Sequence, residues 1–465
     1  MAMGTDISMV GISRARNSTT EMKLFYATLE RQGGTYSHMI RGVGGSALLK
    51  LFNTAATFIT TILLTRILGA ENFGIYAYAI SWVTLLGVLA KAGIDQVMVR
   101  NIAVYYHNND WAKIHGMTRF GLLTVTMASL LMALIMAIGN SFWYQGLPAM
   151  RMALWFACLL LPLNALLAPL GAIQNGLRQV IRAQIPSLFV VPLAFLTVIF
   201  GASFIARTPL SGSDAILLQI VAVLAGVLVA SLLLSRGLTQ AGLPKTLPEP
   251  VYQRRAWFAS AIPLVLMGGM FMINANADIL MLGSMAGPAA AGVYKVATRG
   301  AELLTFSLAV ISVPLGPSLA RLHAAGDKVR LQSEVRRWAW IAFIPAALLA
   351  IMFLFKGDVF LGLFGSEYLG EDVIITLSVL TIGQLLHVAA GPVGLLLVMT
   401  GHERYAAQSL AVGAFLNVGL NSVLIPVWGI RGAAVATTVS TVLFTTLLVV
   451  FVKQRLKINP TIFQY

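Results

Sequence analysis

Twelve stretches of roughly 20 predominantly apolar residues run through this chain of 465 residues. They lie near 43–65, 73–93, 116–138, 152–174, 183–205, 214–236, 256–283, 290–315, 338–356, 372–399, 407–426 and 433–452. No other feature constrains the fold as strongly. A stretch of that length crosses a hydrocarbon core as a helix, because a helix satisfies its own backbone hydrogen bonds where there is no water. A transmembrane barrel would show short alternating segments instead. Composition agrees: 58% of residues are hydrophobic and only 11% charged, against about 25% charged in an average soluble chain. That excludes a water-soluble enzyme, whose layered domains need a polar exterior. The expected fold is an all-α polytopic membrane protein of about 12 transmembrane helices.

Charge supplies the orientation. The net charge is +15, which in a soluble chain would suggest nucleic acid. Here 23 Lys and Arg fall on the side of the N-terminus, 5 on the opposite side and 4 within spans. Basic residues collect in cytoplasmic loops, so both termini are expected in the cytoplasm, and no nucleic-acid partner is expected. Residues 1–42 are read as an uncleaved cytoplasmic tail with an interfacial helix near Thr20–Gln32, since they lack the apolar core and cleavage site of a signal peptide. The one cysteine, Cys158, sits in an apolar run, so no disulfide framework and no thiol metal site is expected. HExxH, CxxC and GxxxxGK[ST] motifs do not occur, and no metal, cofactor or ATP chemistry is expected.

The chain divides near residue 245, where QAGLPKTLPEPVYQRR is Pro-rich and charged in the manner of an exposed linker. The expected organisation is the tail 1–42, a six-helix lobe 43–236, a cytoplasmic linker 237–255, a second six-helix lobe 256–452 and a tail 453–465. The halves echo one another. Gly74-x-Tyr76 matches Gly292-x-Tyr294, and HNNDWAKI (107–114) falls where HAAGDKVR (323–330) does, about 215–220 residues later. Six helices per half make the repeats parallel, with a central cavity between the lobes.

The stretch LLTRILGAENFGIYAYAISWVTLLGVLAKAGIDQVMVRNIA (63–103) resembles the opening signature of the polysaccharide-transporter branch of the multidrug/oligosaccharidyl-lipid/polysaccharide flippase superfamily, the Wzx-type flippases. The positions that carry the likeness are Arg66, Leu68, Gly69, Glu71, Phe73, Gly74, Gly93, Asp95, Val99 and Arg100. IPLVLMGGMFMINANADILMLG (262–283) is similar to the family's seventh helix. The resemblance implies an inner-membrane carrier that moves undecaprenyl-pyrophosphate-linked oligosaccharides to the periplasmic leaflet for O-antigen, lipopolysaccharide or exopolysaccharide synthesis. It also implies polymerase and chain-length machinery as partners besides membrane lipids. Read physically, the motif is a fold marker. Gly69, Gly74 and Gly93 sit where helices turn or approach closely, and Glu71 is placed to cap the helix that starts near Phe73.

Function is read from ionisable residues inside spans, each costing roughly 2.5–3.5 kcal/mol at a helix centre. Lys50 lies in the first span, Asp278 in the seventh, and Lys295, Arg299 and Glu302 in the eighth. The last three are spaced i, i+4, i+7 and form one stripe. Asp278 and Lys295 lie at similar depth and are expected to pair, as are Arg299 and Glu302. Two readings stay open: ion pairs that lock two helices together, or a cationic wall in which Arg299 and Lys50, with Lys295 and Lys91, meet a pyrophosphate. Asp278 or Glu302 would then couple an ion. His387 reads as a packed, hydrogen-bonded side chain rather than a proton relay.

The rival functions are a multidrug antiporter of the same superfamily, which should carry an acidic cavity, and a membrane glycan ligase or polymerase, which needs a sizeable outer loop. The loop 357–371, with Asp358, Glu367 and Glu371, reads as an acidic solvated loop rather than a catalytic pair.

Overall fold

The computed structural model describes residues 8–143, 147–205, 209–244, 246 and 248–462. Residues 1–48 make a small unit of their own, helical in backbone from Ser8. The side chains on which an interfacial helix at Thr20–Gln32 depends lie outside the described residues. Residues 49–465 form the second unit.

Twelve helical spans follow from the sequence among the described residues. One continuous run, Gly44–Lys91, breaks at Gly69 (φ 72°, ψ 173°) into α1 (to residue 68) and α2 (70–91). Only a residue without Cβ takes this backbone easily. Past Ala92 and Gly93, α2 is continued by Ile94–His107. Next come α3 (Trp111–Trp143), α4 (Pro148–Gly176), α5 (Val180–Ile205) and α6 (Gly212–Gln240). The second half repeats the plan with α7 (Arg254–Met285), α8 (Pro288–Ala324), α9 (Lys328–Gly362) and α10 (Glu371–Ala389, continued by Val393–Met399). Glu403–Leu456 breaks at Gly429 (φ 56°, ψ −128°) into α11 (403–428) and α12 (430–456). The break is a hairpin. The Asn417 amide reaches Thr437 and Ser440 at 3.4 Å each, whereas 20 residues of straight helix would separate them by about 30 Å. Pro162 and Pro169 leave α4 unbroken, while Gly391 and Pro392 interrupt α10.

The sequence repeat becomes a contact. A Cβ on Gly74 would lie 1.8 Å from the carbonyl oxygen of Pro288, and one on Gly292 would lie 2.4 Å from that of Ala70. Each glycine faces the carbonyl four residues before the other, so α2 and α8 cross backbone to backbone about a local two-fold axis. Small residues permit this approach in lipid. The second matched pair also agrees. Asp110 caps α3 by accepting from the Lys113 amide at 3.1 Å, and Asp327 caps α9 by accepting from the Arg330 amide at 3.0 Å. A hydrogen bond from the Lys113 side chain holds the Asp110 carboxyl below the usual carboxylate range.

The ends of the lobes differ. Near the turns at Gly69, Gly287 and Gly429, here the far face, both halves share one core. It joins Leu64, Leu68, Phe73 and Phe195 of the first half to Leu282, Tyr294, Phe360 and Ile425 of the second. Toward the 241–253 connection, the linker face, each half has its own core, around Met98, Met117 and Ile173 in the first and around Leu319, Val335 and Leu396 in the second. The exception is the start of α7, where Trp257 donates to the Tyr105 hydroxyl at 3.2 Å.

A valine at Gly74 or at Gly292 would push a side chain into backbone, and overpacking of this kind costs about 1–3 kcal/mol. Either substitution is expected to lower the melting temperature of the detergent-solubilised protein. Gly87→Ala, with nothing within 4 Å of the added Cβ, is expected to melt as the parent does or slightly higher. Equal melting of all three would contradict the crossing.

Candidate functional site

Gly287 (φ 89°) and Pro288 start α8, and from there the helix carries its polar stripe down between the halves. At 1.5 Å per residue, Arg299 lies about 16 Å along it from the far face. Arg299 Nη1 meets Glu302 Oε2 at 2.7 Å, and Lys295 Nζ stands 3.8 Å from Glu302 Oε1. One carboxylate therefore serves two cations, and the stripe keeps an excess positive charge. Arg299 Nε is buried without a hydrogen-bond partner among the described residues, although an arginine has five donors to place.

Lys295 and Arg299 face a cavity of about 370 Å³ otherwise walled largely by α1, α2, α5 and α6. Arg299 also borders a second cavity of about 270 Å³ between α1 and α8, shared with Asn53, Thr57 and Glu302. A third, of about 400 Å³, lies within the second half and is lined by Asp278, Tyr294, Glu302, Gln384, His387 and Thr437 among others. Shared residues join the three in series.

The expected pairing of Asp278 with Lys295 does not form. Asp278 is 5% exposed and accepts instead from Tyr294 Oη (2.9 Å), Asn421 Nδ2 (2.6 Å) and Thr437 Oγ1 (2.6 Å). Depth along the two helices matched, but rotation decides. Successive helical residues point about 100° apart, so Tyr294 turns into the second half while Lys295 turns toward the first. Three donors satisfy the carboxylate without a cation.

Lys50 is exposed and lies on the stripe of Asn53, Thr54 and Thr57, one turn nearer the N-terminus of α1, where it lines none of these three cavities. Lys91 borders a separate pocket of about 100 Å³ with Asn164. His387 binds Thr445 Oγ1 through Nδ1 at 2.7 Å and stacks on Phe444.

The motif residues gather at the two ends of α2. Arg66 Nε donates to the Leu363 carbonyl at 2.8 Å, across the halves. The expected cap from Glu71 is not found. Helix α2 restarts at Ala70, whose amide donates to Glu367 Oε2 at 2.6 Å, while Glu71 is exposed. A carboxylate from the opposite half reaches this amide because the sharp turn at Gly69 presents it to the 363–370 loop. That loop is thus not simply solvated, and its neighbours Glu371 and Asp372 meet Arg431. At the other end Asp95 sits in the first turn after Gly93, and Arg100 reaches Ser260 Oγ at 3.3 Å.

Tyr76, Tyr294, Gln219 and Thr437 were not singled out as site residues. The signal was the repeat itself: Tyr76 and Tyr294 follow the crossing glycines. Tyr76 donates to Gln219 on α6 at 2.8 Å, while Tyr294 meets Thr437 on α12 at 2.9 Å. Residues 76 and 294, and likewise 219 and 437, are 218 apart.

A family model described as polysaccharide biosynthesis protein matches residues 39–323. Capsular polysaccharide biosynthesis protein CapF of Staphylococcus aureus is 25% identical over 184 residues, 39% of this chain and 46% of that one. A Haloferax volcanii protein named "Probable low-salt glycan biosynthesis flippase Agl15" is 28% identical over 170 residues, 35% of this chain and 34% of that one. The chain thus spans less than half the length of either relative. Among solved structures, an inward-facing multidrug resistance MATE family transporter of the MOP superfamily has a TM-score of 0.67 at 14% identity, covering 88% of this chain and 98% of that one. The lipid II flippase MurJ, inward closed, has 0.63 at 13% identity, covering 87% of each. At these identities the likeness is one of fold.

Proposed function

Because the chain belongs to the polysaccharide biosynthesis protein family, we propose that it is a flippase that carries an undecaprenyl-pyrophosphate-linked oligosaccharide across the bacterial inner membrane by alternating access. The observation that carries this reading is the pair Lys295 and Arg299 facing a cavity inside the membrane, sharing one carboxylate, with Arg299 Nε unpartnered. An isolated charge there costs several kcal/mol, so an excess cation needs an anion to meet. A pyrophosphate supplies it, and the planar guanidinium suits two phosphate oxygens. A carrier of cationic drugs would need the opposite sign. The chain is read as a transporter and not as an enzyme.

The head group enters from the linker face, where the two halves keep separate cores, and the isoprenoid stays in lipid. Lys50 and Lys91 guide the anion toward Arg299. The bias of 23 basic residues to 5 supports a cytoplasmic linker face and cytoplasmic termini. Release on the periplasmic side requires the far-face contacts of Arg66 and Glu367 to part. The lipid-linked product then goes to polymerase and chain-length machinery for O-antigen, lipopolysaccharide or exopolysaccharide. Asp278, held by neutral donors, is the coupling residue, while Glu302 remains the countercharge of the stripe.

Two experiments test this. With protein level unchanged, Lys295→Gln combined with Arg299→Gln should cut glycan export at least tenfold, about 1.4 kcal/mol or more in binding terms; full export by the double variant contradicts the reading. In proteoliposomes, collapsing the coupling gradient, proton or Na⁺, should slow the parent protein and leave Asp278→Asn at its already reduced rate. A rate indifferent to both gradients removes Asp278 from coupling.

A further inference from the structure

Resting on that reading, we propose that the cavity in the first half is a subsite for uncharged sugar, which selects neutral over acidic residues next to the pyrophosphate. The repeat shows how the two halves divide the work. Each charged residue at this level of the second half has a counterpart 218 residues earlier that is uncharged: Asp278 and Thr60, Lys295 and Ala77, Arg299 and Ser81, Glu302 and Thr84. All four counterparts line the 370 Å³ cavity, where the charged side chains are Lys295 and Arg299 alone among the described residues.

Three hydroxyls of that wall have a fixed polarity. Thr60 donates to the Ala56 carbonyl at 2.7 Å, Ser81 to Ala77 at 2.8 Å and Thr84 to Ile80 at 2.7 Å. Their protons are committed to their own helices, so what they offer the cavity is oxygen lone pairs. Tyr76 likewise spends its proton on Gln219. On the α1 and α2 side, away from Lys295 and Arg299, these four oxygens suit a ligand rich in O–H donors and offer no proton to a carboxylate, which can only accept. Three aromatic rings stand in the apolar part of the wall. Tyr76, the least buried of three neighbouring rings, packs near Phe73 and Phe195 with centroids 6.2 and 6.1 Å away, and its ring gives a surface on which the apolar face of a pyranose can lie. The donors for phosphate stand at the edge of this same cavity, so a sugar bonded directly to the pyrophosphate has its place fixed.

The test uses the full-length protein in nanodiscs and three probes: undecaprenyl pyrophosphate, its glucose conjugate and its glucuronic acid conjugate, the last two differing only at C6. The parent protein should bind the glucose conjugate at least tenfold tighter than the bare lipid, and the glucuronic acid conjugate no tighter than the bare lipid. Thr60→Val, Ser81→Ala and Thr84→Val combined should erase the tenfold gain. The proposal is overturned if glucose adds nothing, if glucuronic acid binds as well as glucose, or if the triple variant keeps the gain. Should the triple variant fail to fold, the comparison of the two conjugates on the parent protein decides alone. Failure of the bare lipid to bind the parent would instead sink the pyrophosphate reading, a separate result.

Discussion

The contact between Gly74 and Gly292 is the constraint on which the rest depends. Two backbones meet there with no side chain between them, each glycine against the carbonyl four residues before its counterpart. In lipid there is no hydrophobic drive to bring helices together, so close backbone packing supplies the attachment. The crossing places residues 76 and 294 two positions further along, one turned into each half. It also brings the stripe of α8 against α1 and α2. A crossing near the far face, with separate cores at the linker face, leaves a wedge of space between the halves at the level of Arg299.

From that crossing the halves diverge chemically while staying alike in plan. In the second half a buried carboxylate is held by a tyrosine, an asparagine and a threonine. At the matching place in the first half, Thr60, Tyr76 and Gln219 make a neutral version. Duplicated lobes allow this, because the fold needs only the glycines, the caps and the apolar faces to agree. The cations of the stripe belong to the second half by sequence and to the cavity of the first half by position. An ion pair with one carboxylate between two cations is incompletely compensated, and it persists where a ligand or water completes it.

Much of the fold was legible in the sequence because lipid leaves few alternatives. Apolar length gave the helices, and Gly69 and Gly429 fall where neighbouring runs meet. The Gly-x-Tyr repeat showed the duplication but not that the two glycines touch. The candidate site was legible in residue type and depth, and the pairing of Arg299 with Glu302 follows from i, i+3 spacing. Rotation was not legible: depth alone put Lys295 beside Asp278, and only packing shows them facing opposite halves. Lys50 sits a turn short of the cavities for a similar reason, since a span can be placed only to within a few residues. The cap on α2 comes from Glu367, nearly 300 residues away, and no local pattern carries such a contact. Tyr294 and Thr437 look like ordinary span residues until the buried carboxylate they hold is seen.

The central claim is that the anionic head group lies against α8, with its sugar in the first half. A cryo-EM map of the protein bound to undecaprenyl-pyrophosphate-linked glucose tests it most directly. The account predicts phosphate density within hydrogen-bond distance of Arg299 Nε and Lys295 Nζ, and sugar density over Tyr76. Head-group density seated instead among Asp278, Gln384 and His387, or outside the wedge altogether, would contradict it.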